Sequence, residues 1–283
     1  WRVIGVDELP PENAQLAPGT LYHRMQLPSK GLGELIRAVR PKACVHCAGR
    51  ASVQLSIENP EPDFRASVDI TFELLEALRR NAPKCRTLFL SSAAVYGNPA
   101  LLPVSETDAI LPVSPYGYHK RICELLCEEF SRMYGIPTSC IRIFSAYGPG
   151  LRRQVIWDIC QRVLCSGTLE LHGTGDESRD FIHATDIAKA MTLLVNAARF
   201  KGEIYNLASG KEVTIRDVAN LLSGALLSTT QPKFDNVVRA GDPLNWRADV
   251  SKVQALGFSP TVSLEQGLRS VATWAAAELA VER

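Results

Sequence analysis

No apolar run in this chain approaches the ~20 residues that span a bilayer as a helix, so the sequence predicts no membrane-spanning segment. Charge of either sign is not in excess: 31 Lys and Arg against 30 Asp and Glu leave +1. That is too weak a field to hold nucleic acid or an anionic membrane surface. Internal repeats and low-complexity tracts are lacking as well. The opening residues, Trp1-Arg-Val-Ile-Gly-Val-Asp7, have neither the basic start nor the apolar stretch of a signal peptide. Cys44-Val-His-Cys47 has zinc-like spacing, but no second Cys-x-x-Cys follows it, which predicts no metal. Cys123, Cys127, Cys140, Cys160 and Cys165 fall in helix- or strand-like stretches. They are expected as buried, reduced thiols in the cytosol rather than a disulfide framework. What is present is ample core material: 46% of the 283 residues are hydrophobic and 22% charged, as in a globular protein.

The pattern along the chain predicts alternating strands and helices. Strands are expected at 2–6, ending in Asp7, and at 43–47, 87–90 and 138–144; helices at 32–39, 64–80 and 116–134. This alternation implies α/β architecture: a Rossmann-like, doubly wound parallel sheet covered on both faces. Ligands of such sheets lie beyond the carboxyl ends of the strands. Asp7, Ala48-Gly49, Ser91-Ser92 and Phe144-Ser145 all follow predicted strand ends, so four segments point to one crevice. After Gly148-Pro-Gly150 the pattern is less regular. Helices are expected at 155–165, 186–198, 213–222 and 264–279, with strands at 169–172 and up to 207–210. The division predicted is a cofactor domain of 1–148 plus 183–208, and a smaller α/β substrate lobe of 149–182 plus 209–283. A dinucleotide fold begins with a strand, a glycine-rich turn and a helix ahead of its acid-tipped strand. Here the acid-tipped strand comes first, and Gly173-Thr-Gly175 lacks the strand-to-helix setting to replace that turn. The expectation is that roughly 25–30 residues of such a fold lie outside this sequence, the alternative being a protein without that pyrophosphate cradle.

Tyr116-Gly-Tyr-His-Lys120 carries the chemistry. Four residues bring two side chains onto one face of a helix, and Ser114-Pro115 marks the helix start. An ammonium beneath a phenol, whose ordinary pKa is ~10, favours the phenolate. That makes Tyr116 a candidate base at neutral pH. Thr87-Leu-Phe-Leu-Ser-Ser92 is an apolar run ending in small hydroxyls, which places Ser92 at the exit of a buried strand. Asp7, at a strand tip, can accept the ribose hydroxyls of adenosine and repel a 2′-phosphate, favouring NAD over NADP. Gly49, after Ala48, allows close approach of a cofactor backbone.

Ser91-Ser-Ala-Ala-Val-Tyr-Gly97, Ser114-Pro-Tyr-Gly-Tyr-His-Lys120, Arg142-Ile-Phe-Ser-Ala-Tyr-Gly-Pro149 and Ser178-Arg-Asp-Phe-Ile-His183 resemble the extended short-chain dehydrogenase/reductase family, in particular its NAD-dependent nucleotide-sugar epimerases and dehydratases. The resemblance implies a catalytic trio of Ser92, Tyr116 and Lys120. It implies cofactor contacts at Asp7, Leu27, Cys47, Ala48, Gly49, Ser67, Ser91, Tyr116, Lys120 and Phe144. Substrate contacts follow in the same way: Ser92 and Ser145 near the sugar, Arg179 and Arg239 on the diphosphate, His172 on the base, Asp242 on the ribose or phosphate side. Trp246 falls where side-chain size gates N-acetylated sugars, which favours an unsubstituted hexose. Ser67 and Ser145 stand where the family usually has asparagine. Arg152 and Arg153 offer either further phosphate contacts or solvated charge. The family also implies a homodimer, paired through helices 64–80 and 116–134.

Dehydratases and decarboxylases of this family carry acidic residues just after the catalytic Ser or Thr. Here those positions are Ala93 and Ala94, which transfer no proton. The sequence therefore points to a UDP-hexose 4-epimerase that returns its hydride through a 4-keto intermediate. A 4-ketosugar reductase and a nucleotide-binding member without turnover stay open as alternatives.

Overall fold

A computed structural model describes residues 1–237, 241 and 243–281 of the chain. Its strands are β1 (Ile4–Asp7), β2 (Leu21–Arg24), β3 (Ala43–His46), β4 (Arg86–Ser92), β5 (Thr138–Ile143), β6 (Ser145–Tyr147), β7 (Glu170–Leu171), β8 (Ser178–His183), β9 (Glu203–Leu207), β10 (Glu212–Thr214) and β11 (Lys233–Phe234). Its helices are α1 (Gly31–Val39), α2 (Val53–Glu58), α3 (Pro60–Phe64), α4 (Ile70–Asn81), α5 (Pro115–Tyr134), α6 (Gln154–Gln161), α7 (Ala184–Ala197), α8 (Ile215–Ala225), α9 (Ser251–Gln254) and α10 (Leu264–Val281).

The centre is a parallel sheet in the order β3-β4-β5-β9. Successive strand residues face opposite sides, and the two faces bury different helices. Leu88 and Ile141 join Ile187, Ala190 and Leu194 of α7 in one core. Their neighbours Phe89 and Cys140 join Val68, Leu75, Cys123, Cys127 and Phe130 of the α4–α5 side in another. Helices on both faces of a parallel sheet make this the α/β, Rossmann-like fold that the alternation predicts.

The sheet departs from expectation at one edge. β1 does not extend it; β1 pairs in parallel with β2 alone. The outer edge of β3 carries no ladder among the described residues, and Val45 on it is 38% exposed. The chain leaves β2 through α1, packs it on α4 through Leu32, Ile36, Leu74 and Leu78, and enters β3 with no strand interposed. Asp7 therefore ends a strand, as predicted, but not a strand of the four-stranded ladder.

The predicted helix 64–80 is likewise interrupted. α3 and α4 flank a π-helical turn over Arg65–Asp69, a widening that often marks a functional position. The helix expected at 213–222 is preceded by β10, which pairs antiparallel with β8, and starts at Ile215 behind the Thr214 cap. A further apolar core joins α6, α8 and α10 around Trp157, Val218, Leu222 and Ala275. Trp246, Ala248, Val250 and Phe258 pack instead into the first core, beside Tyr116 and Phe144. All eight cysteines are free thiols; Cys47 and Cys165 are exposed, the latter against its predicted burial, because it ends the helical segment after α6.

Candidate active site

β4 delivers the first group. Its apolar body is buried and its last two residues are hydroxyls, as a strand leaving the core for a crevice requires. Ser92 Oγ accepts the Ala94 N–H at 3.2 Å, capping the short turn Ala93–Val95. α5 delivers the second and third. Ser114 Oγ caps it through the Gly117 N–H at 3.2 Å, with Pro115 at the first helical position. Ser56 of α2 adds a second cap, its Oγ accepting the Tyr116 N–H at 3.1 Å.

Tyr116 and Lys120 stack one turn apart, and both are buried. Lys120 Nζ donates to the Leu90 carbonyl at 2.9 Å and lies 5.9 Å from the Tyr116 ring centroid and 5.0 Å from that of Phe89. The cationic end of Lys120 thus sits against the last residues of β4, near the Tyr116 ring. Although Cys47 keeps exposed surface, the protein packed around its thiol raises it above its ordinary value while the Lys120 charge pulls it down, so Cys47 shares this field.

Gly49 closes the site from the β3 side. Its φ is +135°, and a Cβ built there would stand 3.5 Å from Ser67 Oγ and 3.9 Å from Lys120 Nζ. Residues from β3, the π turn and α5 therefore converge on one point. Ser67 Oγ is buried with no hydrogen-bond partner, a polar group that costs free energy until a ligand satisfies it.

Beyond Tyr116 the wall is aromatic. Phe144, at the exit of β5, packs edge-on to Trp246 at 5.9 Å between centroids, and Trp246 Nε1 donates to the Gly97 carbonyl at 3.0 Å. The Arg179 guanidinium lies 5.6 Å from the Trp246 ring and donates to the Ser178 and Leu244 carbonyls. Ser145 opens β6, paired with Phe181 of β8. His172 stands apart at the end of β7, its Nδ1 2.6 Å from Asp235 Oδ2. Asp7 accepts the Leu9 N–H at 3.0 Å, and Leu27 packs against the α1–α4 core. Arg239 and Asp242 lie outside the described residues. Arg152 pairs with Glu278.

The chain's relatives read in the same direction as this geometry. The profile of the NAD dependent epimerase/dehydratase family matches residues 1–208. The chain belongs to that family. Among its relatives, a UDP-glucose 4-epimerase of Mycolicibacterium smegmatis is 27% identical, with 94% of this chain and 88% of that protein covered. The solved structure of the UDP-N-acetylglucosamine 4-epimerase from Methanobrevibacter ruminantium, in complex with UDP-N-acetylmuramic acid, is 28% identical. It superposes with a TM-score of 0.89 over 98% of this chain and 91% of that one. The UDP-glucose 4-epimerase of Thermotoga maritima, solved with UDP-glucose, is 27% identical with a TM-score of 0.89, covering 99% and 92%. For this member of an NAD-dependent family, the unpartnered Ser67 hydroxyl and the cradle that a Gly49 Cβ would fill both fit a bound dinucleotide.

Four residues near the site carry no signal that the sequence reading used: Ser56, His46, and the pair Asp63 and His119, whose Oδ2 and Nδ1 are 2.6 Å apart. His46 ends β3, its Nε2 3.0 Å from Thr71 Oγ1. Thr71 donates its own proton to the Ser67 carbonyl at 2.7 Å, so the imidazole donates to Thr71. Burial, helped by the Lys120 charge, pushes His46 down from 6.5 to about 3. The folded protein keeps His46 neutral where the unfolded chain protonates it. Its contribution to stability is therefore complete above pH 6.5 and is lost as pH falls toward 3. His46→Gln is expected to flatten the fall in Tm between pH 6.5 and 4, by up to ~1.4 kcal/mol of stability per pH unit. Calorimetry across that range checks it; parallel curves for the two proteins would refute it.

Proposed function

We propose that this chain is an NAD-dependent 4-epimerase of a UDP-linked hexose. The observation that carries the reading is the turn behind Ser92. Ala93 and Ala94 are buried against Tyr116 in one apolar cluster, and neither side chain can remove a second proton from the sugar. NAD, when bound, supplies reversible hydride acceptance. Tyr116 takes the proton from the sugar hydroxyl, Ser92 holds that oxygen, and Lys120 orients both the phenol and the cofactor ribose. Cofactor contacts fall to Asp7, Leu27, Cys47, Ala48, Gly49, Ser67, Ser91 and Phe144. A 4-keto sugar then has to turn over, which requires a firm hold on the diphosphate and a loose one on the ring. Arg179 and Arg239 take the phosphates as guanidinium forks, with His172 and Asp242 on the base and ribose. Ser145 and Trp246 border the sugar. Trp246 is pinned by its bond to Gly97 and its contact with Phe144, which supports an unsubstituted hexose over an N-acetylated one.

The test is incubation with catalytic NAD and UDP-glucose or UDP-galactose, with products resolved by chromatography. Interconversion without net NADH is expected. Stoichiometric NADH consumption on a 4-keto substrate would make the protein a reductase, and no bound NAD would make it a nucleotide-binding member without turnover.

Residues 1–148 plus 183–208 form the cofactor domain in this reading and 149–182 plus 209–283 the substrate lobe. The protein works in the cytosol as a homodimer. Support for pairing comes from Phe72, Tyr118, Leu125 and Met133, apolar side chains exposed by 46–71% on α4 and α5. Phe72→Glu is expected to shift the chain from dimer to monomer in light scattering after size exclusion. An unchanged mass would remove α4 from the interface.

A further inference from the structure

Tyr116, Lys120 and Glu124 follow one another at four-residue intervals on α5, so they share one helix face. Glu124 is buried and fully bonded. Its Oε1 accepts from Arg142 Nε at 2.8 Å and Ser91 Oγ at 2.6 Å, and its Oε2 accepts from Arg142 Nη2 at 2.8 Å and Arg121 Nη1 at 3.1 Å. Arg142, on β5, is buried as well, and its Nη1 donates to Tyr96 Oη at 2.8 Å and to the Glu106 carbonyl at 3.3 Å. Tyr96 in turn donates to Asn206 Oδ1 at 2.7 Å. Burial pushes the Tyr96 phenol up to about 12, so the donor proton stays in place.

This network meets the catalytic strand on both sides of Ser92. Ser91, one residue before it, is hooked to Glu124; Tyr96, four residues after it, is hooked to Arg142. We infer that Glu124 and Arg142, acting through Ser91 and Tyr96, are positioning residues that set the place of Ser92 against the Tyr116–Lys120 face of α5. The inference rests on the hydride-transfer reading of that trio. Simple cohesion of the fold would need no such grip on either flank of one serine. A buried ion pair by itself adds little net stability over an apolar pair, whereas misplacing a reacting group by 1 Å costs on the order of 100-fold in rate.

The variant that opens the grip while leaving the ion pair intact is Ser91→Ala/Tyr96→Phe. In the NAD-loaded protein, amide hydrogen exchange over 92–97 and 114–120 is expected to quicken relative to the rest of the sheet. The kcat for UDP-hexose interconversion is expected to fall by about tenfold, with KM within about twofold. In a Ser92→Ala background Tyr96→Phe, at a residue outside the cofactor contacts, is expected to cost almost nothing, because the group being placed is already gone. Ser91→Ala alone, one hydroxyl removed, gives the same sign of effect should the double variant not fold. Unchanged exchange, unchanged kcat, or a Tyr96→Phe loss that adds fully to that of Ser92→Ala each overturns the inference. If the wild-type protein interconverts no UDP-hexose, the epimerase reading falls instead, and the exchange measurement alone decides the placement.

Discussion

Tyr116→Phe is expected to lower kcat for interconversion by about 10³-fold, in the middle of the range for loss of a positioned base, while NAD binding, KM and Tm stay close to wild type. The change removes one oxygen and leaves the ring in its cluster with Ala93, Ala94 and Val95. No cavity forms, so the large cost of a core truncation does not arise. Lys120 keeps its bond to the Leu90 carbonyl and its place beside Gly49, which is why cofactor affinity should survive. The measurement is steady-state turnover with bound NAD quantified in the same preparation. Activity above about a tenth of wild type would assign the proton transfer to another group, since a base worth less than ~1.4 kcal/mol is not one the reaction depends on.

Gly117→Ala is expected to cost about 100-fold in kcat, and it is the sharper test of the geometry. On helix propensity the change should help, by up to ~1 kcal/mol. Packing opposes it. A Cβ at Gly117 would stand 2.5 Å from the Ala94 carbonyl oxygen and 3.0 Å from Pro112 Cβ, and the first of these is backbone, which cannot swing aside. Overpacking of this kind costs about 1–3 kcal/mol, so stability falls on balance and the first turn of α5 moves off the Ser92 turn. Tyr116 is the neighbouring residue and moves with it; an ångström of displacement accounts for the rate loss. Unchanged kcat with a raised Tm would mean that α5 and the Ser92 turn do not approach as closely as described.

Much of this site was legible in the sequence because its key relations are local. Tyr116 and Lys120 are four residues apart, and helical geometry alone puts them on one face. Ser114-Pro115 caps that helix wherever the helix lies, and Ser91-Ser92 must leave the sheet because the apolar run before them has to be buried. Alternation of strand and helix fixed the parallel sheet for the same reason, and the Ala93-Ala94 pair argues against dehydration before any coordinate is known. Other relations are not local. Gly49, Ser67 and Lys120 meet only because separate crossovers bring the end of β3, the π turn and α5 to one point. The four-residue spacing of Glu124 from Lys120 was there to be read, but its partners Ser91 and Arg142 lie 33 and 18 residues away, and spacing carries no information about them. The same holds for β1, whose pairing with β2 alone depends on which strand edges come within hydrogen-bonding distance. Sequence by itself determined the elements, which follow from periodicity and residue type, and the chemistry they bear was read from the resemblance of four motifs to a known family. Only the tertiary structure decided which side chains share a buried environment, because desolvation and hydrogen-bond partnership depend on distance in space, and a chain folded through parallel crossovers separates that distance from distance along the sequence.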